Sequence, residues 1–475
     1  MPKITFMGAG STIFSKNVLG DCMLTPSLKN SEIALYDIDP QRLDESRRML
    51  EAINRNLGGH ATIKAYCGVE NRKEALRGAK YAVNAIQVGG YDPCTITDFE
   101  IPKKYGLRHT IADTLGIGGI FRALRTIPVM LDFARDMEEV CPDVWFLNYT
   151  NPMASITGAM LTMTGVKTVG LCHSVQGCAS GLLRSLNMDD QNIQWKIAGI
   201  NHQAWLLEIT RDGQDLYPEI KRRAALKNQG KLEIGSAEET IARYEELYGE
   251  LSESWKEHIR KRCKLYQETG KHDDMVRFEL MRHFGYYITE SSEHNAEYTP
   301  YFIKDKYPEL IDRFNIPLDE YPRRCIHQIA EWEHMRDELV NNPELSHTRT
   351  REYASYILDA METDVPIKIG GNVMNHGSID NLPRNACVEV PCVVDRSGVV
   401  PTWVGNLPEQ CAALNRTNIN VHLMAIEAAR TLKKEYIYQA AMLDPHTSSE
   451  LSLDDIVAMC DELIAAHGDW MPKYR

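Results

Sequence analysis

The chain has 475 residues, of which 43% are apolar and 25% charged, and 53 Lys+Arg against 66 Asp+Glu give a formal charge of −13. This composition excludes a disordered, collagenous or coiled-coil chain over most of the length, and the acidic balance argues against nucleic acid or an anionic membrane as partner. The length predicts two or three domains with a core that needs no staples.

Met1–Phe6 runs straight into a first strand, Lys3–Met7, with no apolar leader before it. Further β-rich runs follow at Ile33–Asp37, Ala61–Cys67, Tyr81–Val88, Val144–Tyr149 and Thr168–Cys172. Helical spacing fills the gaps, with Leu43, Met49, Leu50 and Ile53 on one face of Arg42–Asn54, and Leu124, Ile127, Met130, Leu131 and Met137 on one face of Ile120–Val140. Alternating strands and helices predict parallel β-α-β units. Residues 1–175 therefore read as a doubly wound, Rossmann-like domain, and residues 176–475 as a mixed α/β (α+β) domain. In the second part Ile197–Trp205, Leu206–Thr210 and Val388–Val394 read as strands and Ala412–Leu432 as a long helix. Residues 227–272 are charged and helical, opened by the capping box Ser236-Ala237-Glu238-Glu239 and continued by Ile241, Tyr244, Leu247, Leu251 and Trp255. No apolar run reaches the ~18 residues of a membrane span. The twelve cysteines contain no C-x-x-C pair, the pattern of a cytoplasmic protein with reduced thiols.

Three places carry chemistry. Gly8-Ala9-Gly10-Ser11 follows the first strand, where glycines allow a tight turn and close approach of a pyrophosphate to a helix N-terminus. The third glycine of the usual fingerprint is replaced by Ile13, and a purely structural turn is the competing reading. Asp37 ends the second strand, where a carboxylate suits the adenosine ribose and favours NAD over NADP. Ligands of parallel sheets sit beyond the carboxyl ends of the strands. Those ends read Gln87-Val88-Gly89-Gly90, Asn148-Tyr149-Thr150-Asn151-Pro152 and Cys172-His173-Ser174, followed by Gly199-Ile200-Asn201-His202. A cysteine and a histidine can share a divalent metal, although isolated residues of either type more often pack a core. Asp113, in the glycine-rich loop Thr110–Gly119 that precedes a helix, is suited to sugar hydroxyls or to a helix cap.

With these residues in view the sequence resembles glycoside hydrolase family 4 nearly end to end. The resemblance runs through Ile4–Thr12, Leu35–Asp39, Gly116–Gly119, Leu147–Pro152, Cys172–Val175, Gly199–His202 and Asn381–Pro383. It implies NAD+ and a divalent metal, usually Mn2+, as cofactors. Cys172-His173-Ser174-Val175 and Thr289–His294 look like the α-galactosidase branch. The phosphoglycosidase branches have Asn or Asp after the cysteine and a basic residue in the loop after the fourth strand, whereas Tyr91–Thr97 contains no Lys or Arg. An unphosphorylated α-galactoside is therefore implied. The implied chemistry is oxidation at sugar C3, loss of the acidified C2 proton, elimination of the leaving group, addition of water and re-reduction, a departure from the two-carboxylate route of most glycosidases.

By position, Cys172 and His202 resemble the metal ligands, and Asp113, Asn148 and Asn151 the substrate ligands. Gly8, Gly10, Ser11, Asp37 and Gln87 fall to the coenzyme, and His173 to the leaving-group acid. For the C2 base, a Ser stands where other branches have Tyr or Asp, which leaves the flanking Glu293 and Glu290, with Tyr298 near. Competing readings are an α-glucuronidase or α-galacturonidase of the same family, which needs a cation facing the C6 carboxylate, a lactate/malate-type NAD dehydrogenase, and a non-enzymatic NAD-binding protein. The resemblance also implies a homodimer or homotetramer.

Overall fold

The computed structural model describes residues 1–249 and 251–475, with the side chains of Leu247 and Tyr248 outside the described set. One sheet organises the chain. Its strands are β1 (Lys3–Met7), β2 (Glu32–Asp37), β3 (Thr62–Cys67), β4 (Tyr81–Asn84), β5 (Trp145–Asn148), β6 (Lys167–Gly170), β7 (Ile193–Ile200), β8 (Gln203–Arg211), β9 (Gln214–Asp215), β10 (Tyr287–Ile288), β11 (Ile367–Met374), β12 (Cys387–Asp395) and β13 (Gly398–Pro401). The order is β10-β8-β7-β12-β11-β6-β5-β4-β1-β2-β3, with β13 on β12 and β9 on β8. The stretch β6 to β3 is parallel throughout, which is the doubly wound arrangement expected from the alternating pattern. Its strands are buried on both faces, Ile4, Phe6 and Val83 on one and Met7, Ala82 and Phe146 on the other, as a sheet covered by helices on each side requires.

Beyond β6 the sheet turns antiparallel. The joint is thin, since β11 meets β6 through the single pair Asn372–Gly170, and β12 meets β7 through Glu389–Gly199. Side chains close it: Asn372 Nδ2 donates to Gly170 O at 3.3 Å and to Glu389 Oε1 at 2.9 Å, and Asn201 Nδ2 donates to the same Glu389 oxygen at 3.4 Å. This buried polar seam lies under the ends of β6 and β7, where the chemistry-bearing residues sit.

Two expectations change. Ile197–Trp205 is not one strand but the head of the β7–β8 hairpin, which reverses at Asn201-His202 with Ile200 opposite Gln203. The β-rich composition hides the reversal because a histidine, φ +63°, occupies the left-handed position usually given to glycine. The helical stretch within residues 227–272 is not one continuous helix from Ile241 to Trp255. Helices Ala237–Tyr248 and Glu253–Thr269 are separated at Gly249, φ +82°, and a preceding helix, Tyr217–Asn228, reaches into the same stretch. The capping box forms as read, with Ser236 Oγ accepting from Glu239 N–H at 3.1 Å and Glu239 Oε2 accepting from Ser236 N–H at 2.7 Å.

Candidate active site

The turn after β1 is built for close approach. Gly8 has φ +87°, and a Cβ there would sit 2.9 Å from the Ala85 carbonyl carbon. A Cβ at Gly10 would lie 2.7 Å from Asp37 Oδ2. The glycine amides are committed within the protein: Gly8 and Ala9 N–H donate to Tyr36 O, and Gly10 N–H donates to Asp37 Oδ2 at 2.6 Å. The groups directed at an anion are instead the first amides of the helix Thr12–Leu24, which precede its first backbone bond, Ser15 N–H to Ser11 O at 2.8 Å. Ser11 is the N-cap residue, and its side chain makes no cap bond. Asp37 stands beside the turn with Oδ1 also accepting from Asp39 N–H at 2.9 Å. Gln87 is exposed at the rim of the neighbouring cavity.

That cavity, about 450 Å³, opens at the carboxyl ends of β4, β5 and β6. Phe14, from the helix after the glycine turn, and Asn151, Cys172, His202 and Glu290 all line it. The helix after the glycine turn and the thiol–imidazole pair therefore face one space. Cys172 caps the helix His173–Ser185, its carbonyl accepting from Tyr353 Oη at 3.1 Å and its Sγ lying 3.2 Å from Ser174 Oγ. His202 enters from the hairpin reversal. Its Nδ1 is 3.1 Å from Tyr298 Oη and its Nε2 3.3 Å from Glu290 Oε2.

The donor atoms form two overlapping groups. Cys172, His202 and Glu290 offer atoms all within 4.8 Å of one another, and so do Asp113, His202 and His294. His294 bridges the two sides, with Nε2 3.7 Å from Asp113 Oδ1 and Nδ1 3.6 Å from Glu290 Oε1. Three of these segments carry a non-glycine residue at positive φ: Ala112 (+49°), His202 (+63°) and Glu290 (+63°). Backbone strain costs of order 1–3 kcal/mol per residue and gathers where geometry serves a function.

The electrostatics fit a cation. Burial opposes a charged His202, yet Glu290, then Cys172 and Asp113, overcome it and lift the imidazole to about 10. Burial likewise opposes charge on Asp113, but His294, Arg122 and His202 hold its carboxyl well below the usual range. Glu290 is also lowered, against burial, by His202 and His294. A cluster that favours an imidazolium so strongly favours other cations among the same soft and hard donors, and thiolate, imidazole and carboxylate suit a divalent transition metal.

Comparison with known proteins shows the family. The family model described as family 4 glycosyl hydrolase matches residues 3–188, and that of the family 4 glycosyl hydrolase C-terminal domain matches residues 197–447. The chain belongs to glycosyl hydrolase family 4. It is 60% identical over 475 residues, all of both chains, to a protein of Bacillus subtilis named alpha-galactosidase. It is 31% identical to an alpha-galactosidase of Rhizobium meliloti, over 99% of this chain and 89% of that one. A crystal structure of a 6-phospho-alpha-glucosidase from gut microorganisms, in complex with NAD and Mn2+, superposes with a TM-score of 0.76 over all of both chains at 18% identity, a likeness of fold.

Within this family 4 protein the remaining expected residues divide. Asn151 lines the cavity and donates to Asp113 Oδ2 at 3.4 Å. Asn148 does not reach it. It is fully buried, its Nδ2 donating to Thr150 O and Thr157 Oγ1 and its Oδ1 accepting from Asn84 Nδ2, so its polar atoms are spent on the strand end. Glu293 also points away: its carboxylate pairs with Arg324 and lines a separate cavity, because the helix Ser292–Glu297 turns it to the opposite side from Glu290. Tyr298 is fully buried behind His202, stacked at 17° and 6.3 Å. His173 lies on the rim, half exposed, with Nε2 2.7 Å from Glu352 Oε2 and its ring among Phe14, Tyr149 and Tyr353. Sequence reasoning passed over His294 and Arg122. His294 was legible as the end of the Thr289–His294 segment that carries the resemblance, whereas Arg122 sits in an amphipathic helix where a buried cation has no periodic signature.

Proposed function

We propose that the protein hydrolyses terminal α-D-galactosides of the melibiose or raffinose type, using NAD+ at the glycine turn and a divalent metal, Mn2+, at Cys172 and His202. The observation that carries this reading is the shared cavity, into which the thiol–imidazole–carboxylate group and the helix of the dinucleotide turn both project. The residues 1–175 then serve as the coenzyme-binding half and 176–475 as the half completing the metal and substrate site. When bound, the coenzyme supplies a reversible hydride acceptor and the metal a Lewis acid.

The chain's own residues do the rest. Asp113 and Asn151 orient sugar hydroxyls, fixed to each other by their hydrogen bond. Of the two glutamates flanking Ser291-Ser292, Glu290 is the one beside His202, and its ionised carboxylate takes the C2 proton. His173, on the rim and held through Nε2 by Glu352, gives a proton to the departing oxygen. An α-galacturonide remains the second reading because one guanidinium, that of Arg122, lines the cavity. The neighbouring Asp113 carboxylate offsets its charge, and the 60% identical relative carries the galactosidase name. The twelve free cysteines suit a reducing cytoplasm, and no helix among the described residues is long and apolar enough to cross a membrane. A homodimer or homotetramer is the expected assembly.

The test is release of p-nitrophenol from p-nitrophenyl α-galactoside, assayed with NAD+ and Mn2+ together and with each omitted, beside the α-glucoside and α-galacturonide. Turnover of the galactoside only with both present supports the reading. Turnover indifferent to either addition, or preference for the uronide, rejects it.

A further inference from the structure

Arg122 is 92% buried by its 8% exposure, lies on the helix Gly116–Val140 and lines the cavity. A guanidinium has five N–H donors. Among the described residues this one makes a single hydrogen bond, a long one of 3.4 Å from Nη1 to Tyr321 Oη, and its Cζ stands 5.8 Å from the centre of the same ring. No carboxylate of the described residues lies within salt-bridge distance of it, in contrast to Arg125 one turn on, whose Nη2 pairs with Asp98 at 2.7 Å. Asp113 faces the same cavity with its Oδ2 held only by Asn151 at 3.4 Å. Its unspent donors are not among the fully buried unpartnered side-chain atoms of the described residues, so they are presented to the cavity, where a guest can complete them.

We infer that Arg122 is a sugar-contacting, specificity-determining residue whose guanidinium, together with the Asp113 carboxylate, clasps one hydroxyl of the galactosyl ring. A hydroxyl suits both groups, because it can accept from the guanidinium and donate to the carboxylate at once. A carboxylate guest would meet Asp113 with like charge. A clasp of this kind rejects a sugar lacking that hydroxyl strongly, because both buried partners are then left unpaired. The inference rests on the galactoside reading above.

The experiment measures binding by calorimetry, with NAD+ and Mn2+ present, of methyl α-D-galactoside and its 2-, 3-, 4- and 6-monodeoxy analogues, on the wild-type protein, Arg122→Met and Arg122→Lys. Retained NAD+ binding checks that each variant is folded. In the wild type, deletion of the clasped hydroxyl weakens binding by about 100-fold or more. In Arg122→Met that ratio falls to within about threefold, while the ratios at the other positions stay as in the wild type, and Arg122→Lys keeps part of it. Ratios that are unchanged, or affinities that fall equally for every analogue in both variants, overturn the assignment and leave the galactoside reading standing. Failure of the wild type to bind the galactoside at all overturns that reading, and this assignment with it.

Discussion

Glu297 is the best place to test how the site is held together. Its carboxylate is 1% exposed and accepts three backbone N–H groups of the loop that carries Asp113: Thr110 at 2.9 Å and Ile111 at 3.2 Å on Oε2, and Ala112 at 2.8 Å on Oε1. His109 Nδ1 lies 3.7 Å from the same Oε2. Glu297 closes the short helix that also carries His294, so one side chain pins the Asp113 loop to the His294 helix. Replacing it with alanine leaves three buried amides without an acceptor. At about 1 kcal/mol each, the low end for an unsatisfied buried donor, the loss is about 3 kcal/mol. Glu297→Gln keeps one accepting oxygen and turns an NH2 group toward N–H donors, so it falls between the wild type and Ala. Urea unfolding gives the stability change, and steady-state kinetics on p-nitrophenyl α-galactoside give kcat/KM, which falls as Asp113 loses its fixed position. NAD+ affinity stays near the wild-type value because the glycine turn is untouched. An alanine variant with native stability and native kcat/KM would refute the argument that this carboxylate sets the loop.

Three further outcomes are expected. Cys172→Ser lowers metal-dependent turnover by about 100-fold or more, beyond the ~10–100-fold typical of partners behind the ligands, while titration of NAD+ shows affinity within about threefold of wild type; equal loss of both contradicts the assigned role. Glu389 is a pH sensor of stability. Burial pushes its carboxyl up to about 7, Glu290 adding to the effect and Asn372, His202 and Asn201 opposing it. The native state thus binds this proton more tightly than the unfolded chain, so the contribution is complete below the ordinary glutamate range near 4.3 and is lost as pH rises through about 7. Glu389→Gln removes that loss, and its stability relative to wild type improves by about 3 kcal/mol between pH 4.5 and 8 in urea titrations; a pH-independent difference would show that Glu389 is charged throughout. Deuterium at sugar C2 or C3 slows kcat/KM, measured by competition against the protiated substrate, and an effect absent at both positions counts against oxidation and proton abstraction.

The sequence by itself determined the strands of the parallel stretch to within a few residues. β1 spans the Lys3–Met7 read from it, and β2, β3, β5 and β6 fall where the β-rich runs lie. These strands are short buried runs bounded by turn residues, so their signal is local. β4 stops at Asn84 rather than Val88, because Asn84 spends its side chain on Asn148 and Thr150 and the chain then leaves the sheet toward the cavity. The family motifs likewise marked Cys172, His202, Asp113 and Asn151. What only the tertiary structure decided is which residues meet. Asp113, Arg122, Cys172, His202, Glu290 and His294 come from four separate segments brought to one cavity by the crossover from a parallel to an antiparallel sheet. Glu290 and Glu293 are three residues apart and chemically alike, yet one faces the cavity and the other pairs with Arg324. Periodicity records which face of an element is apolar. The direction of a polar side chain at a loop–helix junction depends on partners from other segments, here His202 for Glu290 and Arg324 for Glu293, and no local pattern carries that information.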